Sequence, residues 1–279
     1  MAHCAACGQR ASDVQRNGMR RAILLAAFGA ATAQGRQALR AFDGMVRARF
    51  AGWSVRWAFT SPLLRERLAR ARQKSDSVRK ALARLSFERY GTVVLQPLQT
   101  IAGAEHGEVC AAADEAARDL GMCCRVGAPL LATAEDVEDA ARALAGHLPP
   151  QRGPDEDVVL MGHGARHAGG ARYAELAVAV QRLDPHIHVG TMSEDLALGT
   201  ILPRLSSARV WLMPLLSVVG QHALRDMAGE GAQSWRSRIE GENRECLPVL
   251  RGLAEYPGVA EIWLRHLEAA AAEADGESQ

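Results

Sequence analysis

"AILLAAFGAATAQG", Ala22 to Gly35, admits two readings, and they lead to different folds. Behind the pair Arg20-Arg21, the apolar run and the small residues after it have the layout of a secretory signal peptide. The same residues also have the form of a short buried strand entering a glycine turn. A near-copy decides between them: "ILLAAFGA" (23–30) lies without a gap over "VVLMGHGA" (158–165), Gly29 on Gly164 and Ala30 on Ala165. That copy stands in mid-chain, where a leader cannot be. The 21 residues ahead of the apolar run are also long for the basic segment of a signal. The stretch is therefore predicted to be the first strand of an N-terminal lobe, and the protein is expected in the cytoplasm.

A second match follows in the same order. "VVLQPLQTIAGAE" (93–105) lies over "VWLMPLLSVVGQH" (210–222), with Val93 on Val210, Leu95 on Leu212, Pro97 on Pro214 and Gly103 on Gly220. Two ordered matches predict a duplication, hence two similar α/β lobes. The pattern between them agrees. Apolar, β-branched runs at 22–27, 54–59, 92–98, 158–161, 187–191 and 209–215 read as strands. Segments 33–50, 62–86, 105–120, 134–147, 171–183, 195–206 and 259–273 read as helices. Such alternation predicts an α/β fold in which each lobe is a parallel sheet flanked by helices. The expected organisation is an unstructured extension over 1–19 and an N-terminal lobe over 20–148. A linker follows over 149–157, inside "LPPQRGPDED", and then a C-terminal lobe over 158–279 that carries the site.

Composition excludes several classes of function. Thirty-three Lys and Arg stand against thirty-two Asp and Glu, so no global field would recruit nucleic acid or an anionic bilayer. No apolar run reaches the roughly 18 residues of a membrane span. Six cysteines are too few and too irregular for a disulfide framework. Cys4-x-x-Cys7 lacks the further ligands a structural metal site needs, leaving open a metal or redox role or no role. A homo-oligomer is compatible with the sequence, although no heptad or edge-strand signal specifies one.

The duplicated positions also differ, and the differences carry chemistry. His163 replaces Phe28, and His222 replaces Glu105. Both histidines follow predicted strand C-termini, where open α/β sheets form their ligand crevice. Two imidazoles at neighbouring strand ends suit a borderline divalent metal such as Co²⁺, Ni²⁺, Fe²⁺ or Zn²⁺. The alternative for each is a core or capping histidine. His163 and His167 stand at i, i+4 but in a glycine-containing loop. His186 and His188 stand at a predicted strand start and are not expected to face one ligand together.

Three blocks, "VLMGHGARH" (159–167), "HVGTMSED" (188–195) and "LMPLLSVVGQHALRDMAGEGAQSW" (212–235), closely resemble the anaerobic-type sirohydrochlorin cobalt chelatases, class II tetrapyrrole chelatases. "RWAFTSPLLRERL" (56–68) and "VVLQPLQTIAGAEHGEV" (93–109) are similar to the corresponding N-terminal segments, so the resemblance runs from about Arg20 to Ala270. It implies a two-lobed enzyme that inserts a divalent metal, chiefly Co²⁺ with Fe²⁺ and Ni²⁺ as further candidates, into sirohydrochlorin or a related tetrapyrrole for corrinoid synthesis. No nucleotide would be needed.

The resemblance further implies a metal held by two histidines and a glutamate. His163 and His222 match the histidines and are the expected catalytic bases. The family pattern G-T-V-E-G is Gly190-Thr191-Met192-Ser193-Glu194 here, which puts Ser193 at the ligand position and Glu194 one residue late. On a strand such a slip turns a side chain to the other face, so Glu194 needs a bulge or an early turn to serve, and Asp195 needs a rearranged loop. Two further departures are Gln99, where the family has histidine in Q-P-L-H, and Ala30, where F-G-T is usual. The substrate is expected between the lobes, with Gly164, Arg166, Met192, Gly220 and Arg225 as candidate contacts, and Leu215 and Val218 either against the ring or in the core. An alternative is a paralogue impaired in metallation that carries or senses tetrapyrrole or haem. An unrelated receptor of the periplasmic solute-binding type would need the signal-peptide reading.

Overall fold

The computed structural model describes residues 20–164, 170–193 and 196–276. The N-terminal extension with Cys4 and Cys7, and the candidates Arg166, His167, Glu194 and Asp195, lie outside them. In chain order the elements are β1 (Arg20–Ala27), α1 (Ala33–Arg49), β2 (Ser54–Phe59), α2 (Pro62–Arg70), α3 (Val78–Phe87), β3 (Tyr90–Pro97), α4 (Ala104–Leu120), β4 (Cys123–Val126) and α5 (Ala134–Ala145). There follow β5 (Asp157–Gly162), α6 (Ala171–Leu183), β6 (Ile187–Thr191), α7 (Leu198–Ile201), β7 (Arg209–Leu215), a π-helical turn (His222–Met227), α8 (Trp235–Glu240), β8 (Glu245–Pro248) and α9 (Pro257–Gly276).

Two four-stranded parallel sheets result, ordered β2-β1-β3-β4 and β6-β5-β7-β8. Adding four to each strand number converts one order into the other, so the duplication read from the sequence is a duplication of topology. It extends to register. Ile23 pairs with Val94, and their sequence counterparts Val158 and Trp211 pair in the second sheet. The glycines that end the first matched block share a left-handed backbone, φ 99° at Gly29 and 82° at Gly164. β1 is central, and Ala22 through Ala27 are fully buried. A strand covered on both faces needs an unbroken apolar run, which is why this one resembled the core of a signal peptide.

Two edge strands, β4 and β8, were not expected from the sequence. Cys123–Val126 and Glu245–Pro248 mix polar, charged and proline residues, as an edge position tolerates. They too are counterparts: Cys124 pairs with Val93, and Cys246 with the matched Val210. The helix expected over 62–86 is two helices. Arg72 takes a left-handed φ of 55°, the Asp76 carbonyl accepts from Phe59 N–H, and the Ser77 hydroxyl caps a new start at 3.3 Å from Lys80 N. The helix expected over 195–206 shrinks to α7 and one 3₁₀ turn, because Pro203 has no N–H to continue it.

The chain divides into two compact units. Among the described residues, one comprises 20–29, Arg40–Pro129 and 263–276; the other comprises Ala30–Leu39 and the described part of Leu130–Ile262. This division departs from the boundary drawn at 149–157. α5 packs on α6, so it belongs with the second unit. The proline-rich segment is ordered within that unit by Arg152, which bonds Glu156 O at 2.7 Å and pairs with Asp184 at 2.7 Å. The first core gathers Leu24, Leu82, Leu85, Leu95 and Val109; the second gathers Val159, Met161, Leu212, Met227 and Trp235.

Candidate active site

The site lies at the C-terminal ends of β5, β6 and β7 in the second unit. β5 delivers His163 directly after Gly162. Gly164 then turns the chain at φ 82°, and a Cβ there would stand 2.4 Å from Ser193 Oγ and 3.0 Å from Thr191 Cβ. Only glycine meets both demands. After β7 the chain crosses a loop before His222 opens the π-helical turn. That loop is pinned: Leu253 N–H donates to Leu216 O at 2.8 Å, Ala254 N–H to Ser217 O at 3.0 Å, and the Thr32 hydroxyl to Val219 O at 2.9 Å.

These supports bring the two histidines together. Their ring centroids are 5.2 Å apart at an interplanar angle of 77°. His163 is exposed and His222 half-buried. His222 Nδ1 lies 2.6 Å from Asp226 Oδ2, and because a carboxylate only accepts, that nitrogen carries the proton. His163 Nδ1 makes a long contact of 3.5 Å to the Gly164 carbonyl, which likewise only accepts. His222 therefore presents an unprotonated Nε2. Asp226 was missed in the sequence, although "HALRD" carries it at i, i+4 from His222.

Ser193, at the family's glutamate position, is occupied otherwise. Its hydroxyl is 2.7 Å from that of Thr191 and packs beneath Gly164, so it supports the turn that presents His163. Among the described residues no third His, Cys, Asp or Glu completes a metal-holding group with the two histidines. Met192 is partly buried against the second core, and Leu215 and Val218 are buried in the protein interior. A Cβ on Gly220 would meet nothing within 4 Å among the described residues, and its carbonyl accepts from Leu224 N–H at 3.1 Å. Arg225 is exposed and lines a pocket of about 380 Å³ with Asp226, Glu230 and Gln233.

His186 and His188 correct the expectation that they would not face one partner together. Both reach Asp157 Oδ1, at 3.4 and 3.0 Å, because residues two apart along an extended chain share one face. They lie at the opposite, N-terminal end of the sheet. In the first unit the histidine positions are held by Phe28, which is 46% exposed, and Glu105, 3.5 Å from the Thr60 hydroxyl. Gln99 buries both side-chain amide atoms without a hydrogen-bond partner among the described residues.

Comparison with known proteins gives this geometry its context. The model of the family described as "Cobalt chelatase (CbiK)" matches residues 21–272. The chain belongs to the cobalt chelatase family. A relative in Nitratidesulfovibrio vulgaris (strain Hildenborough), sirohydrochlorin cobaltochelatase CbiKC, is 53% identical over 260 residues, 92% of each protein. The sirohydrochlorin cobaltochelatase of Salmonella typhimurium is 32% identical over 222 residues, covering 76% of this chain and 81% of that one. Among solved structures, the sirohydrochlorin chelatase SirB of Bacillus subtilis subspecies spizizenii, in complex with cobalt, superposes with a TM-score of 0.62. It is 16% identical, with 92% of this chain and 98% of that one covered, which shows the shared fold. A metal chelatase thus brings its two candidate imidazoles together on one lobe of a duplicated scaffold.

Proposed function

We propose that this chain inserts Co²⁺ into sirohydrochlorin in the cytoplasm, with His163 and His222 holding the incoming ion and taking up protons. The observation that carries the reading is the approach of two imidazole rings, centroids 5.2 Å apart, on segments that follow adjacent strands. The reaction balances as Co²⁺ plus a ring bearing two pyrrole N–H groups, giving the cobalt complex and two protons. A neutral imidazole suits both halves. It binds a borderline ion without the permanence of a thiolate, and it accepts a proton near neutral pH as the ion leaves it.

Glu194 remains the candidate third ligand, adding the charge that two neutral donors lack. Arg225, exposed on the same turn as His222, suits a peripheral carboxylate of the macrocycle. Ser193 supports the rival reading, a tetrapyrrole-binding protein impaired in metallation, because its hydroxyl is already committed to Thr191.

The deciding experiment follows anaerobic metallation of sirohydrochlorin with Co²⁺ by absorbance, comparing wild type with His163→Ala, His222→Ala and Glu194→Gln. Insertion well above the spontaneous rate, lost in either histidine variant by at least about a hundredfold, is expected. Loss in Glu194→Gln as well would assign the displaced carboxylate as a ligand. Binding of the ring with metal entry no faster than in buffer would overturn the catalytic reading in favour of a carrier.

A further inference from the structure

We infer that Asp226 is the positioning carboxylate of the metal-binding centre, acting through His222 and supplying at one remove the anionic charge that Ser193 does not. The inference rests on the proposed metal-handling role of the two histidines. Its basis is geometric. Asp226 Oδ2 lies 2.6 Å from His222 Nδ1, within the range of a charge-assisted hydrogen bond. The pair sits on consecutive rungs of one π-helical turn, His222 to Met227. Ala223 and Met227, fully buried on that turn, anchor it in the core while His222 and Asp226 stand at the surface.

Three consequences follow for the centre. The bond fixes the His222 tautomer, so Nε2 and not Nδ1 meets the ion. It limits rotation of a ring that is 42% exposed. It also makes the imidazole a stronger donor, since negative charge is held against its far side. Carboxylates placed behind metal-binding histidines act in this way, and their loss commonly weakens metal binding about 10–100-fold. Among the described residues, His163 has the long 3.5 Å contact with a carbonyl behind it. The carboxylate behind His222 strengthens that ligand.

The test uses the full-length protein and two readouts. Co²⁺ binding is measured by calorimetry and by the visible ligand-field spectrum of the cobalt-loaded protein without tetrapyrrole. Metallation kinetics then give KM separately for Co²⁺ and for sirohydrochlorin. Asp226→Asn is expected to weaken Co²⁺ binding at least about tenfold and to shift the ligand-field bands, with KM for sirohydrochlorin within twofold of wild type. Asp226→Glu, which restores a carboxylate on a longer arm, is expected to recover most of the affinity. A fall in both KM-defined affinities together, with no recovery in Asp226→Glu, would mark Asp226 as merely structural and overturn the inference. So would unchanged cobalt binding in Asp226→Asn while His222→Ala abolishes it, although the two-histidine reading would then stand. Absence of cobalt binding in the wild type would overturn both.

Discussion

At the residue scale, the site depends on a few positions that admit one side chain each. Gly164 combines φ 82° with a Cβ direction that runs into Ser193 Oγ at 2.4 Å. Gly164→Ala is therefore expected to lose about 1–2 kcal/mol from the backbone conformation alone, with more from the displaced serine. Urea denaturation measures the first effect. A larger fall in kcat than in ring binding would show that the β5 turn sets the His163 position. The histidines themselves were legible in the sequence because the duplication supplies an internal control: where one copy has Phe28 and Glu105, the other has His163 and His222. Asp226 was not legible. A carboxylate at i, i+4 from a histidine is common on any helix, and only the 2.6 Å contact distinguishes this one.

At the element scale, the N-terminal ends of β5, β6 and β7 are tied by Asp157, which is 1% exposed. Its Oδ2 accepts from Ser206 N at 2.7 Å, Ser207 N at 2.8 Å and the Ser207 hydroxyl at 2.9 Å, and its Oδ1 lies 3.0 Å from His188 Nε2. Burial alone would raise the carboxyl's pKa, but the bonds from Ser207, His188 and Ser206 together prevail and hold it down at about 2, against an ordinary 3.8. Because the folded value is depressed, the resulting stabilisation is complete above the unfolded value and is lost as pH falls toward about 2. For His188, burial lowers the pKa from an ordinary 6.5, so the unfolded chain takes up its proton first and acid again favours unfolding. Urea midpoints are expected to decline from about pH 6.5 downward. Asp157→Asn, less stable at neutral pH, should lack the last component, roughly 2 kcal/mol between about pH 4 and 2. A profile in Asp157→Asn parallel to wild type would sink the assignment. The interior strands were readable because burial on two faces demands unbroken apolar runs. β4 and β8 were not, since Cys123–Val126 and Glu245–Pro248 are four residues each, interrupted by charge or proline, and show neither apolar continuity nor alternation.

At the scale of the whole molecule, the sequence lobes and the compact units differ in a way that bears on folding. The unit that holds the candidate site needs Ala30–Leu39 and α5 in addition to the residues after 158, while α9 is divided between the units at Trp263. Residues 158–279 expressed alone are therefore expected to lack cooperative unfolding by circular dichroism, and adding 130–157 without 30–39 should not restore it. A sharp two-state transition in the 158–279 fragment would show that the sequence boundary is the physical one. Deletion through Ala33 should be equally disruptive, since β1 is a central strand of its sheet. Sequence by itself determined the duplication and the parallel sheets of each lobe, and singled out the two histidines as candidates, because each is written in local apolar runs and in the correspondence between copies. Tertiary structure alone decided where the units divide, that Ser193 supports a turn where a ligand was expected, and that Asp226 stands behind His222. Those outcomes depend on distances between segments far apart in the chain or on the pitch of a single turn, and neither leaves a period or a motif along the sequence.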